Sequence, residues 1–226
     1  MARKLLNLLA FGLIFWVGCK SSEQPFFDLG AGGASAAPTS NLVFLLQDTA
    51  LPDSTSSTLV LEEADVPQGS LYLAVSQTAA DSSFFQLEVK AKGMRGVYDT
   101  PLTISYDPSL LDPQGTGDVV QIQEGPESSR LRKEFEPIPG FPRLVSLLAA
   151  KHPADPSKIV LSQSLLVDLG TGQEYSGTLF SLNMRVLAST AFRTVIGIDL
   201  GTSEALDHNG TSIPTEYFGG ILTREI

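Results

Sequence analysis

Few residues in this chain are equipped for chemistry. It contains one cysteine, Cys19, and two histidines, His152 and His208. A single thiol forms no intramolecular disulfide and builds no cysteine-based zinc site. The histidines lie far apart, with neither His-x-x-x-His nor His-Glu-x-x-His spacing, so both are expected to be surface residues with no metal between them. Asp207-His208-Asn209-Gly210 has the start of a calcium loop. Calcium takes about six to eight oxygens, usually with a bidentate acid further on. Thr211-Ser212-Ile213-Pro214 follows instead, and Glu216 comes too early. The expected structure is a hairpin turn with Asn209-Gly210 at its positive-φ positions. No Gly-x-Ser-x-Gly elbow exists. Gly170-Thr171-Gly172 lacks the lysine of a phosphate loop and reads as a turn. The 25 acidic residues offer no distinctive catalytic pair, and the adjacent Glu62 and Glu63 would point to opposite faces of a strand. The chain is therefore expected to be no enzyme and to carry no cofactor. Tyr72, Tyr98, Tyr106, Tyr175 and Tyr217 could stack on sugars, or fill a core.

Cys19 has a specific setting. Arg3 and Lys4 precede an apolar run from Leu5 to Val17, too short to span a bilayer and suited to an export signal. Gly18 comes directly before Cys19. This resembles the lipobox of bacterial lipoproteins, which implies cleavage after residue 18 and acylation of the Cys19 thiol. Trp16 stands where that pattern usually has leucine. Several acyl chains on one cysteine anchor firmly, since each buried methylene contributes about 0.8 kcal/mol. Lys20, rather than aspartate, follows the cysteine, which favours the outer membrane under enteric-type sorting. Residues 19–40 are rich in Gly, Ala, Ser and Pro and are expected to form a flexible tether.

Beyond Cys19 the chain carries 13 basic against 25 acidic residues, a net charge of −12. Such a surface repels nucleic-acid phosphates and anionic headgroups. Membrane attachment is thus expected through the lipid alone. The one tryptophan is Trp16, within the signal.

From residue 41 to 226 the pattern is of short β-rich runs punctuated by turns. Strands are expected at Leu42–Leu46, Thr58–Leu61, Ser70–Val75, Phe85–Ala91, Leu102–Tyr106, Val119–Gln123, Leu144–Ala149, Thr178–Leu187, Val195–Leu200 and Gly220–Thr223. Ile159–Leu161 and Leu165–Val167 flank a polar interval. Phe85-Gln86-Leu87-Glu88-Val89 alternates strictly, the pattern of a strand with one buried face. Residues 124–143, with Pro126, Pro137, Pro139 and Pro142, read as a long loop. The expected fold is an all-β antiparallel jelly-roll sandwich of about nine strands.

One further pattern has family character. Leu102-Thr103-Ile104-Ser105-Tyr106-Asp107-Pro108-Ser109-Leu110-Leu111 resembles the strand and Tyr-Asp-Pro-Ser turn of cohesins. Phe84–Gly93, Gly177–Val186 and the Asp207–Pro214 hairpin with Gly219-Gly220-Ile221 follow in the family's order, over Gly69 to Ile226. The resemblance implies a nine-stranded sandwich, related to carbohydrate-binding modules, that binds a protein partner of dockerin type on a sheet face. It supplies no specific binding residues. Polysaccharide binding, or a structural role in a secretion or surface assembly, are the alternatives.

Overall fold

In the computed structural model the described residues are 42–53, 59–76, 83–135, 145–165 and 174–225. Cys19, the tether and the Gly170-Thr171-Gly172 turn lie outside them. Fourteen strand segments form: β1 (Leu42–Leu46), β2 (Ser70–Ser76), β3 (Phe84–Arg95), β4 (Asp99–Ser105), β5 (Leu111–Pro113), β6 (Gly115–Thr116), β7 (Val119–Val120), β8 (Ile122–Glu124), β9 (Val145–Lys151), β10 (Lys158–Leu165), β11 (Glu174–Val186), β12 (Phe192–Ile198), β13 (Glu216–Phe218) and β14 (Gly220–Arg224). Nine of them have five residues or more, the number expected of the sandwich.

They make two sheets. The larger runs β1-β14-β12-β4-β10-β9-β7-β6, and the smaller runs β13-β2-β3-β11-β5, with β8 also on β11. Pairing is antiparallel except for the short parallel contact of β13 with β2. The alternation seen in the sequence decides which side chains enter the space between sheets. Phe85, Leu87 and Val89 of β3 and Phe180, Leu182 and Met184 of β11 meet Leu102 and Ile104 of β4 and Ile159 and Leu161 of β10. All are 0–1% exposed. Each such side chain contributes roughly 1.5–3 kcal/mol by leaving water.

The segment before β2 belongs to the sandwich. Strand β1 pairs along its length with β14. The chain then crosses β12 and β14, where Ile198 N–H donates to Ala50 O at 2.7 Å and Gly219 N–H to Thr49 O at 2.8 Å. Gly197 permits this approach, because a Cβ there would lie 2.5 Å from a Leu51 methyl and 2.9 Å from Ala50 O.

Four local expectations are corrected. Of the expected strand Thr58–Leu61, Thr58 lies outside the described residues, and of residues 59–61 only Val60 forms a bridge, an isolated one to Gln47. Val119–Gln123 is split into β7 and β8, which join different sheets. The polar interval after Leu161 does not end a strand, since β10 continues through it. Part of the expected 124–143 loop is the helix α1, Pro126–Phe135. Pro126 occupies the first helical position, where a missing N–H costs nothing and the fixed φ suits the helix. The side chains of Glu127 and Ser128 are then buried against β11.

Leu161→Ala is expected to destabilise the protein by about 2–5 kcal/mol, because the close-packed layer cannot collapse around the gap. A urea titration should display a lowered midpoint with an unchanged slope.

Candidate functional site

Strands β4, β10, β9 and β7 lie side by side, and their register builds one outward face. Thr103, Val160, Ala150 and Val119 align in a row across all four. The parallel row two residues along is Pro101, Ser162 and Leu148, and the next is Asp99, Ser164 and Ser146. Because successive side chains alternate between faces, these residues are the outward partners of the buried Leu102, Ile104, Ile159, Leu161 and Ala149. In the first row Thr103 is 4% exposed, Val160 38% and Val119 61%, with Ala150 half-buried between the two valines, and Leu148 is 60% exposed. The face thus has an apolar centre that faces water.

Polar groups frame it. The Ser162 and Ser164 hydroxyls donate to Asp99 Oδ1 at 3.2 and 2.8 Å. At the other end Lys158 Nζ donates to Asp199 Oδ2 at 2.7 Å. The Lys158 ammonium and the Gly201 N–H hold the Asp199 carboxyl below its usual range, and Asp199 in turn raises Lys158.

The outward face of the smaller sheet is built differently. Gln86 donates to Gln123 Oε1 at 3.0 Å and to Asn183 Oδ1 at 3.4 Å. The Ser76 and Thr178 hydroxyls donate to Glu88. Lys90 pairs with Glu63 at 2.7 Å and Arg185 with Asp112 at 2.9 Å. These side chains pair with one another, and among the described residues Phe84 is the one exposed large apolar side chain within the strands of this sheet.

The residues singled out from sequence fall elsewhere. His208 is exposed and His152 half-buried, its Nδ1 accepting from Ala154 N–H at 3.3 Å. No group of three or more metal-ligating side chains occurs among the described residues. Asp207–Gly210 is a turn: Asp207 Oδ1 accepts from the N–H groups of Asn209 and Thr211, both at 2.8 Å, and Gly210 has φ +75°. Tyr72, Tyr106 and Tyr175 are buried, while Tyr98 and Tyr217 pack against the core. The five do not make a solvent-facing stacking row. Burial raises the Tyr175 hydroxyl to about 12, and it donates to Val97 O at 2.9 Å. The Tyr106 hydroxyl donates to Pro156 O at 2.8 Å and ties together two Asp-Pro-Ser turns. In each, the aspartate (Asp107 or Asp155) accepts from the serine two residues on.

No family model matches the chain, and no curated protein matches it. Solved structures it is similar to include type II cohesin modules. The second such module of the adaptor ScaA scaffoldin of Acetivibrio cellulolyticus has 14% identity and a TM-score of 0.49, covering 67% of this chain and 86% of that one. Cohesin A11 of Bacteroides cellulosolvens has 9% identity and a TM-score of 0.48, covering 68% and 98%. The sixth cohesin of Acetivibrio cellulolyticus scaffoldin B, solved in complex with a mutant Cel5 dockerin, has 16% identity and a TM-score of 0.47, covering 69% and 97%.

The lowered Asp199 makes a pH prediction. Its ion pair contributes stability that is complete above the unfolded carboxylate pKa of about 3.9 and is lost as pH falls through the lower folded value. Asp199→Asn should therefore lower the urea midpoint at neutral pH. The difference between the two proteins should shrink as pH falls through the lowered folded value, where the Asp199 carboxyl becomes neutral.

Proposed function

We propose that this chain is a non-catalytic binding module whose outward β4-β10-β9-β7 face docks a protein partner of dockerin type. The observation that carries the proposal is the exposed apolar centre formed by Val119, Leu148 and Val160, framed by Asp99 and by the Lys158–Asp199 pair. Protein interfaces commonly join an apolar core to a polar rim. The cohesin-like Tyr106-Asp107-Pro108-Ser109 segment, which closes β4 beside this face, supports the same class of partner. The polysaccharide alternative has less behind it, because the tyrosines that would stack on sugar rings serve the core.

The proposal includes attachment. The module is held at the bacterial cell envelope, on the outer membrane, by acyl chains on Cys19, with residues 19–40 as its tether. No helix among the described residues is long and apolar enough to cross a membrane.

Two experiments test these readings. Residues 38–226 would be titrated with a panel of dockerin modules, with calcium and again with chelator, beside a sugar-array screen. Leu148→Asp is expected to weaken dockerin binding at least tenfold, about 1.4 kcal/mol, while Gln86→Glu on the opposite face leaves it unchanged. Sugar binding alone, or dockerin binding that ignores Leu148→Asp, refutes the docking face. Separately, Cys19→Ser should move the protein from the membrane to the soluble fraction; a variant that still sediments with envelopes refutes the lipid anchor.

A further inference from the structure

Strand β10 turns an amide toward the core. Its inward positions run Ile159, Leu161, Gln163, and the third is 5% exposed. The orientation of the Gln163 amide follows from its neighbour on α1. Ser128 Oγ donates its only proton to Leu179 O at 2.6 Å. Toward Gln163, 3.0 Å away, it can only accept, so the atom it meets is Nε2. Oε1 is left buried with no protein group donating to it. A buried acceptor in that state costs roughly 1–3 kcal/mol, which argues for a donor at the site.

Gln163 lines a cavity between the two sheets, together with Ala91, Met94, Thr100, Tyr175 and Leu179 among others. About 20 Å³ of it is open to the centre of a water molecule. On that measure one water needs about 10–15 Å³. Two hydroxyls on the wall have already given up their protons: Thr100 donates to Gln163 O at 3.2 Å and Tyr175 to Val97 O at 2.9 Å. Toward the cavity both can only accept. Among the lining residues Gln163 Oε1, Thr100 Oγ1 and Tyr175 Oη are acceptors, Tyr98 carries a third hydroxyl, and the rest of the lining is apolar. A fitting occupant must bring more than one proton to donate, must be the size of a single heavy atom, and must be neutral, since no carboxylate stands on the wall to balance a cation.

We propose that this cavity is a binding site for one internal water, which donates one proton to Gln163 Oε1 and the other to a hydroxyl oxygen of Thr100 or Tyr175. The water completes a polar chain through Gln163 and Ser128 to Leu179 O. That chain fastens the start of α1 to β10 and β11 in the end of an apolar core.

The test uses water-oxygen magnetic relaxation dispersion on residues 38–226, with a high-resolution crystal structure of the same protein. The expected results are a long-lived internal water that is lost in Gln163→Leu, and a density peak about 2.7–3.2 Å from Gln163 Oε1. Gln163→Glu, whose buried side chain is neutral and keeps an acceptor, should retain the water and guards against a leucine variant that fails to fold. Three results would overturn the proposal. These are native crystals that take xenon at the site, a dispersion unchanged in a folded Gln163→Leu protein, and methylammonium displacing the water at millimolar concentration.

Discussion

Every other feature of this domain rests on the apolar layer between β3-β11 and β4-β10. With one cysteine in the chain, no intramolecular disulfide shares the task. Leu87, Val89, Phe180 and Leu182 from one side, and Leu102, Ile104, Ile159 and Leu161 from the other, are wholly shielded from water. A slip of one residue in any of these strands would send its whole apolar set to the solvent side. The layer therefore sets the register, and the register decides what each outer surface presents.

Those surfaces have diverged. The smaller sheet carries amides and charges that pair with each other, such as Gln86 with Asn183 and Arg185 with Asp112. The larger sheet puts Val119, Leu148 and Val160 in water over three adjacent strands. Exposed apolar side chains are common one at a time, and it is their grouping over adjacent strands that sets this face apart from the other. The same strand that contributes Val160 to this surface contributes Gln163 to the interior, so the outer and inner roles of β10 are inseparable in sequence.

Much of the fold was legible. The apolar sets expected to face inward from β3 (Phe85, Leu87, Val89), β4 (Leu102, Ile104) and β11 (Phe180, Leu182, Met184) are buried, and the turns Asp107-Pro108-Ser109 and Asp207–Gly210 close through local aspartate hydrogen bonds. The failures share a cause. Ser162-Gln163-Ser164 looks like a break because Gln163 is polar, yet its amide is paired by Ser128 from a helix 35 positions away. The helix α1 looks like a loop because prolines cluster around it and its anchoring residues are Glu127 and Ser128 rather than leucines. Val119–Gln123 looks like one strand because nothing local reveals that its halves pair with different sheets. The candidate docking face was invisible for a related reason. Val119, Leu148 and Val160 sit in three separate segments, and each alone resembles an ordinary strand residue.

Local sequence patterns are enough to set the all-β class, the inner side of the long strands and the places where the chain turns. These follow from the two-residue pleat and from backbone preferences of Pro, Gly and Asp, which act over a few residues. Which strands became neighbours, that the tyrosines packed on the core and that one outer face kept its apolar centre uncovered were settled by the packing of the sheets. Those outcomes depend on contacts between residues tens of positions apart, where the free energy of packing whole sheets outweighs any local preference.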